Sequence, residues 1–191
     1  MIYQQEYFEA NNILTEEEIQ KIIDLGESLN PKEGEIYQKG KTKARNSHIS
    51  FISNNLQTKW IYDKFIAAVR LTNKAANWNM YHSEIEKLQF TKYGPGQHYD
   101  WHTDQHVEPY PNGLTRKMSF SCLLNDDYEG GNFLIETRVK PVVPYEKRIN
   151  TILPKKNLTI FFPSFMFHKV EPVTKGMRYS LVGWICGTPF K

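Results

Sequence analysis

The stretch "YGPGQHYDWHTDQHVEPYP", residues 93–111, admits two readings, and the choice between them decides the fold. Wound as a helix, it would stack His98, His102 and His106 on one face at successive turns. Pro95 and Gly96 precede those histidines and Pro109 and Pro111 follow them, so a regular helix has almost no room. Extended, the same residues alternate between two faces. His102 and Asp104 then project to one side, and a single rigid element offers an imidazole and a carboxylate together. His98 sits on that face of an ideal strand, but the turn at Gly94–Gly96 leaves its direction open. Tyr99 and Trp101 point away and are expected to pack. Asp100 is placed to orient a ligand through a hydrogen bond, while His98 and His106 read as solvated.

The extended reading agrees with the texture of the chain from about residue 84 onward. The runs "EIEKLQFTKY", "TRKMSFSCLLN", "GNFLIE", "NTILP", "NLTIFFPS" and "RYSLVGWIC" are short, β-branched or aromatic, and punctuated by Gly, Pro and Asn. Such a succession predicts a sandwich or jelly roll. The first third reads differently. Thr15 stands three residues before Glu18, a capping-box spacing, and Ile19, Ile22, Ile23 and Leu25 follow at helical intervals. A second amphipathic helix is expected in "QTKWIYDKFIAAVRLTNKAANW", with Trp60, Ile61, Phe65, Ala68, Val69 and Leu71 on one stripe. Between them "NPKEGEIYQKGKTKARNSH" reads as a mobile loop. The expected organisation is one mainly β domain over residues 1–191. Residues 1–83 form a helical support and substrate-loop region, and 84–191 the β core.

Composition narrows the function. With 24 Lys and Arg against 21 Asp and Glu, the net charge of +3 is too small and too scattered to favour a nucleic-acid partner. Cys122 and Cys186 lie in apolar runs without ligand-like spacing and read as small buried hydrophobes. The N-terminal residues show neither a basic start nor an apolar run of secretory length, and no stretch is long and apolar enough to span a bilayer. A cytoplasmic protein without a membrane partner is the expectation.

An imidazole and a carboxylate are two-thirds of the facial triad that holds non-haem Fe(II) and leaves coordination positions open. The third ligand is expected from another strand, and His168 in "FFPSFMFHKVEPV" is the candidate. Ten positions on, Arg178 shares a strand face with Ser180, Val182 and Trp184. Inside a β-barrel such an arginine would be a costly charge unless an anion met it. A dicarboxylate co-substrate supplies that anion, through bidentate hydrogen bonds and a neighbouring hydroxyl.

Taken together, "YGPGQHYDWHTD", "YEGGNF" and "FFPSFMFHKVEPVTKGMRYSLVGW" resemble the Fe(II)- and 2-oxoglutarate-dependent oxygenases of the prolyl 4-hydroxylase group, nearest its PKHD-type bacterial and phage hydroxylases. The likeness covers about residues 85–187 and extends more loosely to "ARNSHISF". It implies a double-stranded β-helix with Fe(II) on His102, Asp104 and His168. Arg178 would grip the distal carboxylate of 2-oxoglutarate, helped by the Tyr93 hydroxyl and by Ser180, with Trp184 lining the iron pocket. O2 is the co-substrate and ascorbate an optional reductant. The implied reaction is hydroxylation of an unactivated C–H bond, with a prolyl residue of a peptide or protein as the first expectation and a free amino acid, another small molecule or a nucleic acid as alternatives. Relatives place a flexible segment where "KGKTKARNSH" lies, which makes Arg45 and Ser47 candidate substrate contacts. The insertion "RVKPVVPYEKRIN" is a candidate lid. Many relatives have Gly where this chain has Asn157, which leaves that turn open. A jelly-roll binding module with a structural metal is a rival of another class, and a zinc hydrolase is a third reading that lacks a well-placed general base.

Overall fold

The computed structural model describes residues 4–34, 36–37, 43–139 and 146–190. In chain order the first half contains β1 (Phe8–Asn11), α1 (Glu16–Ser28), β2 (Lys32–Glu33), β3 (Ile36–Tyr37), β4 (Lys43–Asn46), β5 (His48–Ile52), α2 (Lys59–Ala75), β6 (Glu84–Ile85) and β7 (Leu88–Tyr93). The second half contains β8 (His98–His102), β9 (Thr115–Leu123), β10 (Glu129–Gly130), β11 (Phe133–Val139), β12 (Glu146–Ile152), β13 (Leu158–Pro163), β14 (His168–Val170), β15 (Val173–Lys175) and β16 (Arg178–Gly187). Antiparallel pairing builds a major sheet in the order β1-β13-β9-β16-β7-β5-β2, with β6 also on β16. A minor sheet runs β12-β11-β14-β8-β4-β3, and β10 pairs β15 apart from both.

The helices cover the outer face of the major sheet. α1 starts at the expected capping box: the Glu18 amide donates to Thr15 Oγ1 at 3.2 Å, and the Thr15 amide donates to Glu18 Oε2 at 2.8 Å. Ile19 and Ile22 are buried and Ile23 and Leu25 pack at the edge. Helix and sheet come so close that a Cβ on Gly26 would lie 2.3 Å from the Phe90 ring. α2 buries Ile61, Tyr62, Phe65, Val69 and Thr72. The expected stripe was too broad on one side, since Leu71 is exposed. Its place is taken by Tyr62, whose hydroxyl donates to the Ile52 carbonyl and accepts from the Leu88 amide, so a polar tip is carried into the core satisfied.

Between the two sheets lies a second apolar cluster that includes Phe133, Ile160, Phe162 and Val170. β13 shows why its sequence is apolar throughout: Phe161 faces the helices while Leu158, Ile160 and Phe162 face the minor sheet. Asn157, just before β13, has φ of +64°, the left-handed backbone that glycine adopts freely, and its side chain exchanges two hydrogen bonds with the Leu14 backbone. Both cysteines are free and buried, and burial pushes each thiol up to about 12.

Two loop expectations are revised. Within the presumed mobile loop, β4 pairs with β8 in the register Arg45↔Tyr99 and Asn46↔His98. Strand pairing with a distant segment, which local composition does not report, orders this part; residues 38–42 lie outside the described residues. In the candidate lid, Arg138 and Val139 pair with Lys147 and Glu146 as an unbroken continuation of β11 and β12. Residues 140–145 lie outside the described residues. Among the described residues no helix is long and apolar enough to cross a membrane.

Candidate active site

β8 and β14 are hydrogen-bonded neighbours with His102 directly opposite His168, and Asp104 lies two residues past the end of β8. The Asp104 and Gln105 amides both donate to the Ser164 carbonyl at 2.9 Å, which fixes the backbone where the strand ends. Asp104 Oδ1 lies 3.9 Å from His102 Nε2, and Oδ2 lies 3.6 Å from His168 Nε2. One ligand atom from each of the three residues falls within 4.8 Å of the others.

Each imidazole is oriented by its own chain. His102 Nδ1 stands 2.7 Å from the Asp100 carbonyl and His168 Nδ1 stands 3.0 Å from the Met166 carbonyl. A carbonyl only accepts, so Nδ1 carries the hydrogen in both rings and Nε2 presents a lone pair to the space beside Asp104. Asp100 thus orients a candidate ligand, as expected, but through its backbone and not its carboxylate. Burial, with a second imidazole, His168, competing beside it, depresses His102 to about 3 despite Asp104, so the ring is neutral near pH 7. For Asp104, burial alone would raise the carboxyl; the two histidines and the nearby Ser119 hydroxyl outweigh it and hold it below the usual range. A buried carboxylate facing imidazole lone pairs, with no cationic side chain bonded to its oxygens among the described residues, fits a divalent cation.

Arg178, Ser180, Val182 and Trp184 share the inner face of β16, as their spacing predicts, and line the same cavity of about 470 Å³ as the triad. Arg178 is 3 % exposed. Its Nη1 donates to Ser180 Oγ at 3.1 Å, its guanidinium lies 5.5 Å from the centre of the Tyr93 ring, and its buried Nε has no partner among the described residues. Among those residues no carboxylate pairs with it. A buried guanidinium with only neutral neighbours fits a carboxylate of a small ligand.

The opposite part of the cavity holds residues that spacing did not assign. Tyr99, expected to point away, stacks on His102 with ring centroids 3.4 Å apart. The cause is a β-bulge: three residues of β14, from His168 to Val170, face four of β8, from His102 to Tyr99, so parity flips. Trp101 does point away, under the Lys169 ammonium. Arg45 is buried, donates through Nε to Ser47 Oγ at 2.8 Å, and lies over the Tyr99 ring at 4.8 Å. A second bulge, in β9 opposite Ile185 and Cys186, turns Arg116 into the cavity. Its guanidinium lies 3.9 Å from the Trp184 ring centre and binds Glu86 through two 2.7 Å hydrogen bonds. The buried Trp184 Nε1 has no partner among the described residues. His106 is exposed at the cavity rim; His98 does not line the cavity.

A jelly roll that places a His–Asp–His cluster and a buried arginine without a carboxylate partner among the described residues in one cavity fits a class of proteins that uses a metal and a carboxylate ligand. The profile of the 2OG-Fe(II) oxygenase superfamily matches residues 88–186, and the chain belongs to that superfamily, whose cofactor and co-substrates are Fe(II), 2-oxoglutarate and O2. A PKHD-type hydroxylase of Synechococcus sp. (strain CC9605) is 30% identical over 136 residues, covering 70% of this chain and 52% of that relative. The chain therefore spans about half of that relative's length. The viral collagen prolyl hydroxylase of Paramecium Bursaria Chlorella virus-1, solved as its 2OG complex, superposes with a TM-score of 0.69 at 20% identity, over 96% of this chain and 97% of that one. A Trichoplax adhaerens prolyl hydroxylase, solved with a peptide fragment of the hypoxia inducible factor oxygen degradation domain, gives 0.70 at 19%, over 94% and 83%. The fold is the double-stranded β-helix.

Proposed function

We propose that this chain hydroxylates a prolyl residue of a peptide or protein, using Fe(II), 2-oxoglutarate and O2. The observation that carries the reading is the placement of a buried, metal-ready triad and a buried, unpaired guanidinium in one cavity. His102, Asp104 and His168 would hold Fe(II); Arg178 and Ser180 would receive the distal carboxylate of 2-oxoglutarate, with Tyr93 closing that end. When bound, the iron activates O2, one oxygen atom ending in succinate as CO2 leaves and the other in the hydroxyl of the product.

The chain's own residues bind and aim. Tyr99 and Trp184 present flat walls suited to a saturated five-membered ring. Arg45 sits at the Tyr99 wall as a donor for a peptide carbonyl, with the fully buried Ser47 behind it accepting from its Nε, and the buried indole N–H of Trp184 is a second donor. Glu86 holds the Arg116 guanidinium against Trp184, which keeps that wall in place. Prolyl hydroxylases among the superposed structures, one of them with a bound peptide, support a peptidyl substrate.

The test mixes protein anaerobically with Fe(II) and 2-oxoglutarate and looks for a weak visible charge-transfer band. O2 is then admitted with proline-containing peptides or free proline, and succinate and a mass gain of about 16 Da, one oxygen atom, are followed. The band with a peptide-dependent gain is expected. A gain on free proline alone would replace the peptidyl substrate with an amino acid. No band from folded, iron-loaded protein would refute 2-oxoglutarate as co-substrate.

A further inference from the structure

Gln97, in the turn that leads into β8, has no part in the assignments above, yet every polar group it carries is used. Its amide donates to the Gly94 carbonyl at 2.9 Å and its carbonyl accepts from the Val173 amide at 3.1 Å, which fixes the backbone. Its side-chain Oε1 accepts from the Gly94 amide at 2.8 Å. A backbone amide only donates, so that atom is the oxygen and the other end of the side chain is the NH2 group. The NH2 group reaches Asn46 Oδ1 at 3.1 Å and His48 Nδ1 at 3.2 Å, one hydrogen for each.

Asn46 and His48 flank Ser47, where the chain passes from one sheet to the other. β4 ends at Asn46, opposite His98 in the minor sheet, and β5 begins at His48, opposite Lys92 in the major sheet. The turn from β7 to β8 makes the reverse crossing, so Gln97 ties two crossings together. Ser47 is fully buried; its carbonyl accepts from the Gly34 amide at 2.8 Å and its hydroxyl accepts from Arg45 Nε at 2.8 Å. An arginine can swing about several side-chain bonds, and a directed contact requires its plane to be set. By holding the residues on both sides of Ser47, Gln97 holds the hydroxyl against which that plane is set. We propose that Gln97 is a positioning residue for the peptide substrate, acting through Ser47 and Arg45 by fixing the crossing from which Arg45 reaches the Tyr99 wall. The proposal rests on the reading of Arg45 as a donor to the peptide. Arg178, Ser180 and His168 share none of these hydrogen bonds.

Gln97→Met keeps the length of the side chain and removes its hydrogen bonds. Turnover of the Fe(II)-loaded protein is followed by succinate and by mass, with the proline-containing peptide that gains most from the unsubstituted protein. The expected result is a peptide KM about fivefold higher with kcat little changed, short of the roughly tenfold or more expected for Arg45→Ala, the worth of one hydrogen bond to a charged group. Anaerobic titrations should give unchanged Kd values for Fe(II) and 2-oxoglutarate, which a general loosening of the fold would not. Asn46→Ala removes one partner, leaves the bond between Gln97 and Gly94 in place, and should raise the same KM by a smaller factor. In an Arg45→Ala background Gln97→Met is expected to cause no further loss. An unchanged peptide KM, an equal loss of affinity for 2-oxoglutarate, or an additional loss without Arg45 would each overturn the proposal. An unchanged peptide KM in Arg45→Ala itself would instead defeat the underlying reading of Arg45.

Discussion

Asp104 bears the most exacting demand on any single residue. Its carboxylate is buried and ionised, its neighbours are imidazoles whose hydrogens are committed elsewhere, and the nearby Ser119 hydroxyl favours the charged form. The desolvation of that charge is outweighed by its surroundings, which keep it ionised and ready for a cation. Asp104→Ala is therefore expected to cut Fe(II) affinity by about a hundredfold or more, the scale on which first ligands exceed the 10–100-fold effects of their supports, and to abolish turnover. The same change should make the metal-free protein less stable near neutral pH, because a carboxyl that folding holds below its usual range contributes stability above its unfolded value. Calorimetric metal titration and thermal melts of the metal-free protein test the two halves. Full iron binding by the variant would remove Asp104 from the ligand set.

At the scale of elements, close packing sets the terms. Gly26→Ala would gain about 1 kcal/mol of helix propensity in an exposed helix. Here the added methyl meets the Phe90 ring at 2.3 Å, and overpacking of that kind costs roughly 1–3 kcal/mol, so net destabilisation is expected in urea unfolding. The Glu86–Arg116 clasp makes a pH prediction. Burial would raise Glu86, but the bonds and charge of Arg116, with hydrogen bonds from Cys186 and Tyr110, lower it below 4.5. A carboxyl lowered by folding contributes stability that is fully present above its unfolded value and is lost as pH falls through the folded one. Urea midpoints should drop as pH falls below about 4.5, and Glu86→Gln should flatten that limb. An identical acid limb in the variant would mean that other carboxyls control it. Elements also decide what the sequence could reveal. His102 and Asp104 were legible because they keep an i, i+2 spacing at the end of β8, and Arg178 through Trp184 because β16 alternates without a break over that stretch. Tyr99 and Arg116 were not, because a bulge in β8 and another in β9 reverse parity, and bulges arise from pairing between distant strands. Arg45 and Ser47 were seen only as loop residues, since the order of β4 comes from β8.

Across the whole molecule, the two halves of the site belong to different sheets. His102 and His168 stand on the minor sheet, with Asp104 just beyond β8, whereas Arg178 and Ser180 stand on β16 at the centre of the major sheet. A ligand that chelates a metal on one sheet and meets Arg178 on the other is a tie between them. Binding stabilises a fold in proportion to RT ln(1 + [L]/Kd), about 2.7 kcal/mol at a hundred times Kd. Divalent metal alone should raise the thermal midpoint because it binds the triad only in the folded chain. 2-Oxoglutarate should add a second increment when metal is present and little without it, because the chelating end would have no anchor. Arg178→Ala should keep the metal increment and lose most of the second. Anaerobic melts of four samples, with neither, either or both ligands, measure this directly. Equal stabilisation by 2-oxoglutarate with and without metal would show that the co-substrate is held on the major sheet alone, and the two-sheet tie would fail.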